Sequence, residues 1–413
     1  MIIKVLYYIV FYLSLTYGLF FFVTGLFGFA KNGRKQIKKF DPKTRFAVLI
    51  AARNEAKVIG NLIESLKRQN YPKDMYKIYV IPNNCTDNTA EVAAATGVTI
   101  LPCEVPVKTK GDVLKHIFAK FEGNNEVDAF AIFDADNVVD PNFLAEMNNT
   151  LLSGFNVAEG NRDSKNVTDN WLSGSYSLFY YMQNFFFNKA RLNLGLSAAI
   201  NGTGWVVKKS VIEKYGFNPK TLTEDSEFTA LCSLNGERIA FVEGAKTYDE
   251  HPLKFKDSWN QRKRWSKGTL QCLRIYGKDL IRNVFVNSNM TSLDMFMMFI
   301  APIVQVVALI LCVVLIAFRH YGIALFDLFS YIFASGMLFF FVTYFIGVLT
   351  NVFIFKFNGQ NIKDVLSSVL LFSLFILSWI PINIVCLVKK DVTWKPITHS
   401  RNVDMNELLS KNN

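Results

Sequence analysis

The stretch "IFDADNVVDP" (132–141) sets two carboxylates, Asp134 and Asp136, one residue apart between an apolar run and a proline. In extended backbone, residues i and i+2 point the same way, so the two side chains would converge. Left alone they repel, and one of them is driven to hold a proton. A divalent cation removes the conflict. An oxygen donor set with room left for water and phosphate suits Mg2+ or Mn2+. A pair of solvated loop aspartates is the plain alternative, and the position directly after a strand-like run counts against it. Two further stretches carry chemistry. "TLTEDSEFT" (221–229) places Glu224 and Asp225 before a short amphipathic helix, where one of them could simply be a helix cap. "WNQRKRWSKG" (259–268) offers Gln261, Arg262, Arg264 and Trp265 within five residues. Guanidinium groups suit phosphate oxygens, and an indole stacks on the apolar face of a pyranose ring. Its competing explanation is a basic amphipathic helix lying on a membrane, because Lys263 and Lys267 share the stretch.

The elements that must position these groups alternate. "RFAVLIAA" (45–52), "YKIYVI" (76–81), "VTILP" (98–102) and "VDAFAIF" (127–133) are short apolar runs with the character of buried strands. Between them, 56–69, 87–97 and 112–121 have helical spacing, with Val58, Ile59, Leu62, Ile63 and Leu66 on one face. This alternation predicts a parallel sheet covered by helices on both faces. Ligands of such sheets bind beyond the carboxyl ends of the strands. That rule brings "ARNEA", "PNNCTDN" and "DADN" to one site. None is a glycine-rich phosphate cradle, so neither a P-loop nor a dinucleotide fingerprint is available. After about residue 140 the alternation gives way to a mixed region reaching about 270.

Composition adds a membrane. Of 413 residues, 51% are apolar and 38 are Phe. Residues 5–30 contain no charged side chain, and long apolar runs return at about 295–318, 328–355 and 365–388. Each is long enough to cross a bilayer as a helix. The first has no cleavage-type ending and reads as a signal anchor. Lys31, Arg34, Lys35, Lys38 and Lys39 follow it and place the polar middle in the cytosol. The net charge of +11 is accounted for by such juxtamembrane residues, not by nucleic-acid binding. Six scattered cysteines have no metal-type spacing and are expected to be reduced.

The pieces "AARNEA", "NNCTDNTAEVA", "KGDVLKH", "FDADN", "NGTGW", "TED" and "QRKRW" occur in that order over roughly residues 46–268. Together they resemble family 2 glycosyltransferases of GT-A fold, and specifically the membrane-embedded cellulose, hyaluronan and mixed-linkage glucan synthases. The QxxRW element, Gln261 to Trp265, is the most specific, being typical of processive members. The resemblance implies an α/β GT-A cytosolic domain plus α-helical transmembrane segments. It also implies roles. Asp134 and Asp136 match the metal and nucleotide-sugar pair, and Asp225, with Glu224 beside it, the catalytic base. Arg264 would meet the nucleotide diphosphate, and Lys110 would lie near the nucleotide. Ala52, Arg53 and Glu55 would line the base pocket. Asn83 stands where the family commonly has an Asp for uracil; its amide can still bond a pyrimidine edge. Trp265, with Gln261 and Arg262, and the segment Asn201, Gly202, Thr203, Gly204 and Trp205 would hold the acceptor.

The expected reaction is one in-line displacement on a UDP-sugar, UDP-glucose as the first choice, with Mg2+ or Mn2+ and inversion to a β-linked product. Polymerisation coupled to export is the leading expectation. A single addition to a polyprenyl phosphate or diacylglycerol is the alternative. A non-catalytic scaffold or transporter is disfavoured by the intact Asp134, Asp136, Asp225 and Arg264. The expected organisation is an N-terminal helix (1–30), a basic linker (31–45), the transferase domain (46–268), an interfacial helix (269–290), about three spans (291–390) and a tail (391–413), in a bacterial cell membrane. One span before the domain and three after it would leave the C-terminus outside. Yet Lys389, Lys390, Lys395 and Arg401 favour inside. Asp294, Asp327 and Asp364 fall at span edges, where capping or snorkelling is expected. The segment "WKPITHSR" (394–401) resembles C-terminal segments of related bacterial enzymes.

Overall fold

The computed structural model describes residues 2–30, 37–320, 342–389, 403 and 407. Lys31, Arg34, Lys35, Asp327, Lys390, Lys395, Arg401, part of the 328–355 run and the 394–401 segment lie outside the described residues.

Four strands come from the apolar runs of the sequence: β1 (Phe46–Ala52), β2 (Tyr76–Pro82), β3 (Thr99–Ile100) and β4 (Ala129–Asp134). They pair in parallel, β1 lying between β2 and β4. The near-continuous burial of β1 reflects cover on both faces. The rest of the sheet departs from the parallel expectation. The eight strands run in the order β3-β2-β1-β4-β7-β6-β8-β5, with β5 at Val138–Val139, β6 at Val157–Ser164, β7 at Trp205–Lys208 and β8 at Ile239–Asp249. Strand β7 enters antiparallel between β4 and β6, so the sheet is mixed. The reversal lies in the region where the sequence loses its regular alternation.

Helix α1 (Ile2–Leu26) precedes the sheet, and α2 (Ile59–Lys67), α3 (Thr89–Ala95), α4 (Lys110–Lys120) and α5 (Phe143–Leu152) pack around it. A capping box starts α4: the Thr109 side chain accepts from Asp112 N and Asp112 reaches back. This fixes Lys110 in the first turn. A lysine there opposes the helix dipole, a local cost with a reason in the site. Next, α6 (Trp171–Met182) passes through a π-helical turn, Gln183–Lys189, into α7 (Ala190–Asn193). Helix α8 (Lys209–Tyr215) precedes α9 (Glu224–Leu234), whose first turn holds Glu224, Asp225 and Glu227, as the dipole favours.

Helix α10 (Phe255–Asn287) runs for 33 residues. The boundary expected between 268 and 269 thus falls inside one continuous helix, which runs through Gly268 at the junction of the QxxRW segment and the amphipathic stretch. After it come α11 (Met290–His320), α12 (Val342–Phe357), α13 (Leu366–Leu377) and α14 (Trp379–Val388). Among the described residues, three stretches are long and apolar enough to cross a membrane: Phe11–Phe29, Met290–Ile310 and Leu366–Val388. Two of these lie after the domain, and Val342–Phe357 is a shorter apolar helix, the earlier part of the 328–355 run lying outside the described residues. Asp294 does not snorkel at a span edge. It is buried in an ion pair with Arg191.

Candidate active site

Strand β4 delivers Asp134 at its last residue, and the chain then turns. Asp136 sits in that turn, which Asn137 N closes by donating to Asp134 O at 3.2 Å. The two carboxylates line one cavity. Both reach the cavity through a tight turn at the strand end, not through strand alternation. The Asp134 backbone N–H donates to Thr203 Oγ1 at 2.9 Å, pinning the turn to the 201–205 segment. Lys110 Nζ reaches Asp134 Oδ1 and donates to Gly202 O at 2.7 Å. Burial alone would lower the Lys110 ammonium, but Asp134 and then Glu224 hold it above its ordinary value.

Glu224 and Asp225 open α9 on the same cavity. Burial, and then the neighbouring Asp225, push the Glu224 carboxyl up to about 7. Burial also raises Asp225, while its acceptance from Ser226 N at 2.7 Å and the nearby Arg264 charge work the other way. This is a desolvated acid pair able to take up a proton near neutrality. Gly202, at φ +89°, backs onto it: a Cβ there would lie 3.4 Å from Asp225 Oδ2. Arg264 faces the cavity from α10 and donates Nη1 to Leu222 O at 3.1 Å.

The cavity measures about 580 Å3 and collects Arg53, Glu55, Asn83, Lys110, Asn201, Gly202, Gln261 and Trp265 along with both acidic pairs. Gln261 presents a buried Oε1 with no partner among the described residues. Other expected residues point elsewhere. Ala52 is wholly buried in the core, and Ala51 takes its place on the wall. Thr203, Gly204 and Trp205 stand behind the wall, Trp205 packing against Phe228 at 5.5 Å. Asn83 does face the cavity, but its amide is engaged. Oδ1 accepts from Arg53 Nε at 3.1 Å, and Nδ2 donates to Ala52 O at 3.0 Å.

Arg262 departs furthest from expectation. It is fully buried and away from the cavity, donating to Phe375 O and Ser378 Oγ with its guanidinium over the Phe375 ring at 4.4 Å. It clamps α10 to the junction of α13 and α14. Helix periodicity separates it from Arg264, so the two arginines of the motif serve different faces.

Several wall residues carry no sequence signal of their own. Arg162 of β6 pairs with Asp249 of β8, with Nε at 3.0 Å from Oδ2, and donates Nη1 to Asn201 O at 2.6 Å. It lies 4.1 Å from the Tyr180 ring centroid. The π turn brings Gln183 to Asn201 Oδ1 at 2.6 Å, consistent with the placement of such turns at functional sites. From the apolar helices come Gln305, Trp379 and Asn383. Trp379 stacks on Trp265 with centroids 6.2 Å apart. For this last group a signal existed: amides inside apolar runs are costly unless used.

Asp134 and Asp136 offer only hard oxygen donors on one wall, which fits Mg2+ or Mn2+ sharing its remaining positions with a diphosphate and water. Among the described residues no third carboxylate, histidine or cysteine completes a metal cage.

The sequence model described as "Glycosyltransferase like family 2" matches residues 42–268. Among curated proteins, the chain is similar to the probable glycosyltransferase YdaM of Bacillus subtilis, 27% identical over 58% of this chain and 59% of that protein. It is also similar to a protein of Synechocystis named beta-monoglucosyldiacylglycerol synthase, 23% identical over 56% of this chain and 49% of that protein. The chain spans about half the length of these curated relatives. A solved mannosyltransferase from Pyrobaculum calidifontis, described in complex with GDP-Man and Mn2+, superposes with a TM-score of 0.59 at 14% identity. That match covers 92% of this chain and 99% of the other. The likeness is one of fold, and with the family match it gives the domain the GT-A architecture.

Proposed function

Since the chain belongs to glycosyltransferase-like family 2, we propose that it transfers a sugar, with inversion, from a nucleoside diphosphate sugar to an acceptor supplied at the membrane. One observation carries this reading. A single cavity joins the Asp134/Asp136 turn, the Glu224/Asp225 pair and the wall made by α11, α13 and α14. In this reading residues 46–268 form the cytosolic catalytic domain, anchored by a span within 1–30 and by spans within 291–390.

Asp225 is the general base, its carboxyl raised by burial and held beside Glu224. Arg264 lies where the leaving diphosphate gains charge, and Lys110 balances Asp134 from the other side. Mg2+ or Mn2+, held by Asp134 and Asp136, would supply Lewis-acid neutralisation of the diphosphate. The Mn2+ of the Pyrobaculum enzyme's description supports that assignment. One displacement on an α-linked donor gives a β-linked product. Arg53, Glu55 and Asn83 are assigned to the nucleobase end, Gln261, Trp265, Asn201 and Gly202 to the acceptor end. UDP-glucose is the first-choice donor.

The QxxRW element, Gln261 to Trp265, supports polymerisation of a β-glycan. A single addition to a membrane lipid is the second reading. It is supported by the cavity wall built from apolar helices and by the relative named beta-monoglucosyldiacylglycerol synthase. Detergent-purified protein with Mg2+ or Mn2+ and a panel of labelled UDP-sugars separates the two: size exclusion detects a polymer, and organic extraction a glycolipid. Asp225→Asn is expected to abolish transfer while donor binding persists. Unchanged turnover in that variant removes the base assignment.

A further inference from the structure

The membrane end of the cavity contains a polar chain that the chemistry above does not use. Ser266 of α10 donates Oγ to Asn383 Oδ1, and Asn383 donates Nδ2 to Gln305 Oε1 at 2.7 Å. All three side chains line the cavity. Ser266 and Asn383 are buried at 2% and 1% exposure, whereas Gln305 is open to the cavity. Gln305 and Asn383 belong to two of the stretches apolar enough to span a membrane. Buried amides in such helices are expensive and mark function by default. Beside them the Trp265/Trp379 stack offers flat aromatic faces.

Charge is missing from this end. The residues that α11, α13 and α14 give to the wall, among them Met298, Pro302, Gln305, Ile376, Trp379 and Asn383, include no cation. Of the cations nearer the acid pair, Arg162 is engaged by Asp249 and Asn201 O, Lys110 by Asp134 and Gly202 O, and Arg264, which donates Nη1 to Leu222 O, is assigned to the leaving diphosphate of the donor. Arg262 is turned into the protein. A phosphate nucleophile wants free guanidinium or ammonium partners and needs no base. Here it would face Glu224 and Asp225 instead.

We infer that Ser266, Asn383, Gln305 and Trp379 form an acceptor site for an uncharged, hydroxyl-bearing group, and that the acceptor is not a lipid phosphate. The inference rests on the glycosyltransferase reading and narrows its acceptor. Amide groups bond hydroxyls in either sense, and indole faces cover the apolar side of a sugar or glycerol. The hydroxyl could belong to a glycan end or to a neutral glycerolipid.

The test uses the full chain in detergent micelles with radiolabelled UDP-glucose, UDP-N-acetylglucosamine or GDP-mannose. Acceptors are a β-glucan oligosaccharide, diacylglycerol and polyprenyl phosphate. Label is expected on the oligosaccharide or the diacylglycerol, and which of them takes it names the source of the hydroxyl. Label on polyprenyl phosphate overturns the inference while leaving the transferase reading intact. Absence of donor cleavage under every condition overturns the transferase reading and the inference with it. Gln305→Leu and Asn383→Leu are each expected to raise the acceptor KM about tenfold, the effect of one lost hydrogen bond at the upper end of its range. The donor KM should stay unchanged, and Asn383→Gln should recover part of the loss. Reduced thermal stability with an unchanged acceptor KM would show a packing role and overturn the site.

Discussion

Glu224 and Asp225 are adjacent in sequence and share one buried wall, so their protons are not independent. Burial raises both carboxyls, and Asp225 adds to the lift on Glu224, which reaches about 7. The base must be ionised to work. Activity is therefore present above the raised value and lost as pH falls through it. The profile of kcat/KM is expected to have an acid limb displaced above the ordinary carboxylate range. Glu224→Gln removes the like charge, so the limb should move to lower pH as the remaining Asp225 ionises more readily. A limb that stays in place in that variant removes Glu224 from the pair.

At the scale of elements, α10 is the part on which the site depends most. It carries Gln261, Arg264 and Trp265 to the cavity, turns Arg262 back to clamp the α13–α14 junction, and meets Thr223, the residue before the acid pair, at Gly268. A Cβ on residue 268 would fall 2.3 Å from Thr223 Oγ1 and 2.5 Å from its Cγ2, directly before Glu224. Gly268→Ala must separate α10 from the start of α9. Small misplacements of a base are costly, so kcat is expected to fall about a hundredfold with donor binding retained. Adding Thr223→Ala removes the two closest contacts and should return part of the rate. Unaltered kcat in Gly268→Ala would show that the two helices shift without consequence.

Across the whole molecule, one residue far along the chain bears on topology. Val403 is buried with Val138 and Tyr248, and its carbonyl accepts from Asn61 Nδ2 at 3.1 Å. Val138 follows the DADN turn, and Tyr248 precedes Asp249. Residue 403 is therefore packed against the catalytic domain. The expected number of crossings between α10 and residue 403 is even, which the two long apolar stretches Met290–Ile310 and Leu366–Val388 would supply. An even count would agree with the basic residues that follow the last apolar run. Cysteines placed at Glu407 and at the exposed Glu104 should react with an impermeant reagent from the same side of sealed vesicles. Reaction from opposite sides would refute the even count.

The sequence by itself determined the α/β alternation, the meeting of the Arg53, Asn83 and Asp134 loops at one sheet end, and the apolar stretches able to span. Each is written in local periodicity: buried strands are short and continuous, helices repeat at 3.6 residues, and spanning helices need length. It also placed Asp134 and Asp136 together, though for a different reason, since the strand ends at Asp134 and a turn completes the pair. Tertiary structure decided which side chains face the cavity. Arg262 and Arg264 are indistinguishable by residue type, yet the packing of α10 against α13 and α14 buries one and leaves the other on the wall. Arg162, Asp249, Gln305, Trp379 and Asn383 joined the site only when strands and helices scattered along the chain packed together. A cavity is a property of distant surfaces brought into contact, and spacing along one segment holds no record of its partners.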